Sequence, residues 1–309
     1  MPSLSGKVIA VSGSTGGIGV ELCKHLAFLG AELILLDRNQ EKAEALQKTL
    51  EAQFPEVKIS RIRMDLEEMA SVKAAVCELL KAPLDGLILN AGAYHIPRHK
   101  CDTGLDNVFQ INFAAPYYLA RELKPHLDAR GGRLVAVGSI AHNYSETDPE
   151  DVDFSTRAKH SLAYGNAKRF LMYSLYGLYG EQGGLAVAHP GITFTNITAH
   201  YPKVIFAIIK HPMKVIFMKP EKACLSTLKG IFDEVTEISR QKRENFAYFG
   251  AMKSPVKRIQ SKFRVQILMR LIGENDEIDD ITKEVYCVVD KYTIPKASVF
   301  VEINPNNLS

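Results

Sequence analysis

Tyr164-Gly165-Asn166-Ala167-Lys168 sets a phenol and an ammonium four residues apart, and on a helix that spacing puts both on one face. A phenol ordinarily ionises near pH ~10. A fixed cation beside it favours the phenolate, so the pair can take up or release a proton near neutral pH. Ser139 stands 25 residues before Tyr164 at the end of an apolar run, where its hydroxyl can hydrogen-bond a reacting oxygen. It is not a hydrolase nucleophile, because Gly138-Ser139-Ile140-Ala141 lacks the Gly-x-Ser-x-Gly turn. Asn112, in a long helical stretch broken near Pro116, can fix a water and pass protons between Lys168 and solvent. Taken singly, each has an ordinary structural reading: an amphipathic helix, a turn serine, a capping asparagine.

The elements that must position these groups are legible around one stretch. Residues 8–11 are an apolar run suited to a strand covered on both faces. Ser12-Gly13-Ser14-Thr15-Gly16-Gly17-Ile18-Gly19 then forms a glycine-rich turn, and Ile18, Leu22, Leu26 and Leu29 line one face of the helix that follows. Gly13, Gly17 and Gly19 suit a tight bend, close approach of a pyrophosphate and close helix packing, while the helix N-terminus offers free N–H groups to phosphate. Further strands are expected at 32–36, 57–64, 84–89, 133–137 and 185–188, with 245–249 as a seventh, edge strand. Helices are expected at 40–53, 69–80, 103–127 with a bend, 162–179 and 220–235. This alternation predicts an α/β fold, a doubly wound parallel sheet of the Rossmann type with about seven strands. Ser12, Asp37, Asp65, Asn90, Ser139 and Pro190 all fall at carboxyl ends of strands, where such sheets bind ligands.

Composition is that of an ordinary globular protein, with 46% hydrophobic and 24% charged residues. Five dispersed cysteines, Cys23, Cys77, Cys101, Cys224 and Cys287, without a Cys-x-x-Cys pair, predict reduced thiols in a cytoplasmic protein and neither a disulfide framework nor a metal site. The start, running straight into the first strand, predicts no signal peptide, and the apolar run 204–209 is too short to span a membrane. Charge is uneven: residues 203–270 hold 15 Lys/Arg against 5 Asp/Glu in a chain of net charge +3. With no internal repeat or low-complexity linker, the expected organisation is one domain over 1–250, including a lid at about 197–220, with residues 251–309 as a packed extension.

In order and spacing, Gly13-x-x-x-Gly17-x-Gly19, Asn90-Ala91-Gly92, Asn112, Ser139, Tyr164-x-x-x-Lys168 and Pro190-Gly191 resemble the short-chain dehydrogenase/reductase family. Ser12 stands where that family usually carries Thr. The resemblance implies a catalytic tetrad: Asn112 for proton relay, Ser139 for orienting oxygen, Tyr164 as acid/base, and Lys168 for holding ribose and lowering the tyrosine pKa. Oxidised nicotinamide would add a second positive charge beside the phenol. It further implies that Ser14, Thr15 and Ile18 join the glycines around the cofactor, that Asp65 and Leu66 lie near adenine, that Asn90, Ala91 and Gly92 lie beside ribose, and that Pro190, Gly191, Ile192 and Thr195 approach the carboxamide. The reaction implied is hydride transfer between nicotinamide and an alcohol or carbonyl carbon, the electronic step belonging to the cofactor. A further helix is expected at about 277–291, and within the family His189-Pro190-Gly191, Ser139-Ile140-Ala141-His142, Leu162-Ala163-Tyr164 and the late segment 280–293 look most like retinol-dehydrogenase-like members.

Asp37 lies 18 residues after Gly19, at a strand end, where a carboxylate can take the ribose hydroxyls and repel a 2′-phosphate. NAD is therefore the expected cofactor. Arg38, which can pair with that phosphate, keeps NADP as the alternative. Tyr94, His95, His142, Tyr144 and the lid are expected to form the substrate pocket with Ser139 and Tyr164, and the apolar lid suggests a retinoid, steroid, or fatty alcohol or aldehyde. Lys203, Lys210, Lys214 and Lys219, continued by basic residues over 253–270, suit peripheral contact with an anionic membrane, the alternative being a solvated basic face. No nucleic-acid reading motif is present, and a homodimer is expected from family habit. Rival readings are an NADPH-dependent carbonyl reductase and a nonenzymatic dinucleotide sensor, the latter having no need of an intact Tyr-Lys pair.

Overall fold

Apolar runs alternate with amphipathic helices over the first part of the chain, and between successive strands there a helix returns the chain to the same end of the sheet. In a computed structural model, residues 3–180, 183–191 and 219–232 are described with their side chains, and residues 246–259 and 262–271 as backbone. The chain divides into two units, one of residues 2–180 and 184–232 and another that includes 233–309.

The first unit holds β1 (Val8–Ser12), α1 (Gly17–Phe28), β2 (Glu32–Asp37), α2 (Gln40–Gln53), β3 (Ile59–Arg63), α3 (Met69–Leu79) and β4 (Leu84–Leu89). There follow α4 (Asn107–Phe109), a π-helical turn (Gln110–Ala114), α5 (Ala115–Asp128), β5 (Arg133–Val137), a 3-10 turn (Ile140–Tyr144), α6 (His160–Tyr179), β6 (Leu185–Ala188) and α7 (Pro220–Ile231). Six strands form one parallel sheet in the order β3-β2-β1-β4-β5-β6. The order reverses at β1 and β4, the topological switch point of an open α/β sheet.

Strand periodicity builds both core layers. Val8 and Ala10 of β1 face one side with Leu87, Leu134, Leu119, Leu123, Leu171 and Leu175. Ile9 and Val11 face the other, with Leu33, Leu35, Leu22, Leu26, Leu46, Leu50 and Leu228. Because every residue of β1 is buried, the strand reads as a continuous apolar run and not an alternating one. Burying a leucine side chain contributes roughly 1.5–3 kcal/mol, so helices on both faces hold the sheet against solvent.

The expected seventh strand has a different partner. Residues 246–249 belong to a longer strand, β7 (Phe246–Ile259), which pairs antiparallel with β8 (Lys262–Leu271) in a separate two-stranded sheet. The physical cause is visible in Phe263, Val265, Ile267 and Met269, whose period of two within the basic segment gives β7 a strand partner adjacent in sequence. The lid expected at 197–220 lies outside the described residues up to 218, as do Ile192, Thr195, the basic-apolar stretch 203–218, Cys287 and the helix expected at 277–291. Among the described residues no helix is long and apolar enough to cross a membrane.

Candidate functional site

The glycine turn between β1 and α1 follows from its backbone. Gly13 has φ +64°, and a Cβ there would sit 2.9 Å from the Ala91 backbone. At Gly19 a Cβ would lie 2.2 Å from the Gly13 carbonyl oxygen, so only glycine lets the helix start fold over the turn. Ser12 fastens the neighbouring strand end: its hydroxyl accepts from the N–H groups of Asn90 and Ala91, both at 3.1 Å, and donates to the Ile88 carbonyl at 3.3 Å. Asn90 returns two hydrogen bonds, from Nδ2 to the carbonyls of Ser12 and Gly13 at 3.2 and 2.9 Å. The hydroxyl standing in place of the family's threonine thus has structural employment.

Asp37 is buried and does more than wait for ribose. Its Oδ1 accepts from the Thr15 N–H at 3.2 Å and the Thr15 hydroxyl at 2.9 Å, and its Oδ2 accepts from the Ser14 hydroxyl. The carboxylate therefore clamps the glycine turn, a role that the spacing of Asp37 from Gly19 did not disclose. Arg38 is exposed and lies 4.0 Å from Glu67, whose other oxygen is 3.1 Å from His99 Nε2. Beyond β3, Asp65 accepts from the Glu67 N–H at 3.0 Å, and the Leu66 carbonyl accepts from Gln110 Nε2 at 3.1 Å, tying this strand end to the π-helical turn.

That turn carries Asn112, which is wholly buried. Its Nδ2 donates to the carbonyls of Ala93 and Val108, both at 2.8 Å, and its Oδ1 accepts from the Ala93 N–H at 3.2 Å. The bend expected near Asn112 and Pro116 is this widened turn, with Pro116 accommodated at the start of α5. A Cβ on Gly92 would come 2.9 Å from Asn112 Oδ1 and 3.4 Å from Lys168 Nζ, so Gly92 keeps the space between those groups open.

Ser139 ends β5 and caps the 3-10 turn, its hydroxyl accepting from the Ala141 N–H at 3.2 Å. Its side chain also comes near enough to Tyr164 to favour the ionised phenol. What allows that approach is Gly165, where a Cβ would lie 2.5 Å from the Ala141 carbonyl oxygen and 2.8 Å from Ser145 Cβ. Within the Tyr-Lys motif Gly165 has this packing role of its own, and a glycine inside a helix, where it costs stability, is the sequence signal that points to it.

Tyr164 and Lys168 share a face of α6, as their spacing requires, but their electrostatics differ from the simple expectation. Burial pushes the Tyr164 phenol up to about 12, with Ser139 pulling it down and Tyr94 adding to the rise. Lys168 Nζ lies 5.8 Å from the centre of the Tyr164 ring and donates to the Val137 carbonyl at 3.1 Å. Burial pushes its ammonium down to about 8. In the protein by itself, desolvation outweighs the attraction of this cation for a phenolate.

Among the residues expected at the substrate end, Tyr94 meets Tyr164 edge to face, ring centres 5.1 Å apart. His95, at φ +55°, lies with its ring tilted against that of His160, centres 4.5 Å apart, one helical turn before Tyr164. His142 turns back onto the Ser139 carbonyl, and Tyr144 is largely exposed. Pro190 and Gly191 follow β6, beside the Ser139 strand end, where the Gly138 N–H donates to the Ala188 carbonyl at 2.8 Å. Among the described residues no three His, Cys, Asp or Glu side chains form a metal-binding group, and the described cysteines Cys23, Cys77, Cys101 and Cys224 are free.

A switch point with a glycine turn on one side and a half-buried Tyr164 with a buried Lys168 on the other belongs to the dinucleotide-binding α/β proteins, and the comparisons narrow that class. Residues 7–148 match the family described as short chain dehydrogenase. A short-chain dehydrogenase/reductase of Aspergillus calidoustus, drtF, is 30% identical over 237 residues, covering 68% of this chain and 75% of that protein. The chain belongs to the short-chain dehydrogenase/reductase family. Human polyprenol dehydrogenase is 29% identical over 212 residues, and the match spans 64% of each protein. A short-chain dehydrogenase from Sphingobium yanoikuyae, solved in complex with NADPH, shares the fold with a TM-score of 0.58 at 19% identity over 96% of this chain and all of that one.

Proposed function

We propose that this protein is an NAD(P)-dependent oxidoreductase acting on an apolar alcohol or its carbonyl counterpart. The observation that carries the reading is the juxtaposition of Ser139 and Tyr164 hydroxyls beside Lys168 and Asn112, at the same strand ends as the glycine turn. Residues fit a dinucleotide there. The left-handed Gly13 and the crowded Gly19 shape a turn that leaves N–H groups at the start of α1 for a pyrophosphate, and Gly92 leaves the neighbourhood of Lys168 free of side chain. Gly13, Ser14, Thr15, Gly17, Ile18 and Gly19 would hold the phosphates, Asp65, Leu66, Asn90, Ala91 and Gly92 the adenosine end, and Pro190 and Gly191, with Ile192 and Thr195, the nicotinamide end.

Bound nicotinamide supplies the hydride acceptor or donor. In alcohol oxidation Tyr164 takes the hydroxyl proton, and in carbonyl reduction it returns one to the oxygen. Ser139 orients that oxygen, Lys168 holds ribose and supports the phenolate, and Asn112 fixes the turn through which protons reach solvent. A phenol at about 12 stays protonated near pH 7 and is ready to donate in carbonyl reduction, while in alcohol oxidation Ser139 works in favour of the phenolate.

NAD is the favoured reading, since Asp37 sets a carboxylate at the end of β2 beside the glycine turn and Glu67 sets another 4.0 Å from Arg38. Arg38, exposed and only loosely paired, supports the NADP reading, as does the NADPH bound by the Sphingobium relative. An apolar substrate is supported by the aromatic Tyr94–Tyr164 contact and by the polyprenol in the human relative's name. The test is transfer of deuterium from C4-deuterated NADH or NADPH to a panel of retinal, decanal and steroid ketones, read by mass spectrometry. The reading expects label at the carbinol carbon with wild type and none with Tyr164→Phe; cofactor binding without transfer to any member of the panel would overturn the substrate class.

A further inference from the structure

Arg98 joins the segments that carry the reacting groups, and the chemistry above does not use it. Its side chain is only 14% exposed. Nε donates to Asp106 Oδ2 at 2.9 Å, Nη2 to the Phe154 carbonyl at 2.5 Å, and Nη1 to the Arg157 carbonyl. Asp106 caps α4, accepting from the Val108 N–H at 3.0 Å, and the Val108 carbonyl accepts from Asn112 Nδ2. On the other side, Phe154 is wholly buried in a small cluster with Val108 and Ala163, against which Tyr164 packs. Its φ of +55° lies in the left-handed region, which a phenylalanine enters only when surrounding contacts hold it there. The same loop is fastened twice more: Asp153 accepts from the Asp106 N–H at 2.8 Å, and Asn166 of α6 donates to the Val152 carbonyl at 2.8 Å.

We propose that Arg98 is a positioning residue: its guanidinium holds the 148–157 loop against Asp106, so that Phe154 fixes Tyr164 relative to Asn112. The proposal rests on Tyr164 and Asn112 serving as acid/base and relay. An arginine suits the place because its planar fork reaches one carboxylate and two carbonyls in fixed directions, whereas a lysine offers a single donor centre.

The experiment uses the full chain as wild type, Arg98→Gln, Arg98→Lys and Arg98→Gly, with decanal as probe for NADH oxidation, nicotinamide fluorescence for cofactor binding, and amide hydrogen exchange over residues 107–112 and 160–166. We expect kcat to fall by about tenfold or more in Arg98→Gln and Arg98→Lys, with the cofactor dissociation constant and the decanal KM within about twofold of wild type. Millimolar guanidinium should restore part of kcat to Arg98→Gly, which a merely destabilised protein would not show. Exchange should rise in both segments and stay unchanged in the glycine turn. Wild-type kcat in Arg98→Gln, absence of guanidinium rescue, or exchange rising only within the 148–157 loop would overturn the proposal. If wild type neither binds nor oxidises NADH or NADPH, the oxidoreductase reading fails instead, and exchange in the two segments still decides whether Arg98 couples them.

Discussion

At the scale of single residues, the proposed role of Lys168 runs against stability. Its folded pKa, about 8, lies below the 10.5 of a free lysine. Between those values the unfolded chain binds more protons, so stability rises with pH across that window, and the burial cost is fully present below about pH 8. That cost is on the order of 3 kcal/mol. Replacing Lys168 with Met should therefore stabilise the cofactor-free protein by roughly 1–3 kcal/mol at pH 7, after losing the Val137 bond, with the gain shrinking towards pH 10. Denaturant unfolding at several pH values checks this, and a destabilised Lys168→Met at pH 7 would show that the ammonium contributes to folding. The same variant should lose turnover. Lys168, Tyr164, Ser139 and Asn112 were legible in the sequence because their types and intervals are unusual together. The clamp of Ser14 and Thr15 on Asp37 was not, because a loop closing onto a strand end leaves no periodic trace.

Elements bring those residues within reach, and two glycines decide how closely. At Gly165 an added methyl meets the Ala141 carbonyl oxygen, which cannot swing away as a side-chain tip can. Gly165→Ala should displace the turn carrying Ser139 and lower kcat about tenfold or more, while cofactor affinity, measured by fluorescence titration, stays near wild type. Equal loss of both would place the damage in the general fold. At Gly19 the obstruction is the Gly13 carbonyl oxygen. Gly19→Ala should cost roughly 1–3 kcal/mol in stability, read by denaturant unfolding, and remove most cofactor affinity; an alanine variant that binds normally would mean the turn is not the phosphate site. The regular strands and helices followed from apolar periodicity, β4 and β5 to the residue. The π-helical turn did not, since Asn112 and Pro116 announce an irregularity without its geometry.

For the whole molecule, the parallel sheet follows from strand-helix alternation, and its switch point places the site between β1 and β4. The edge was harder to read. Residues 246–249 fit an edge strand by composition, but strand pairing depends on which partner is available, and β8 lies next in sequence. The carboxylate of Asp37 at the end of β2 and that of Glu67 near Arg38 predict a preference for NADH, and the crowding at Gly19 predicts that dinucleotide affinity depends on that turn. The most direct measurement is fluorescence titration of wild type and Gly19→Ala with NADH and with NADPH. The account predicts saturable binding to wild type, tighter for NADH, and loss of both in Gly19→Ala. Failure of wild type to bind either dinucleotide, or equal binding by Gly19→Ala, would contradict it.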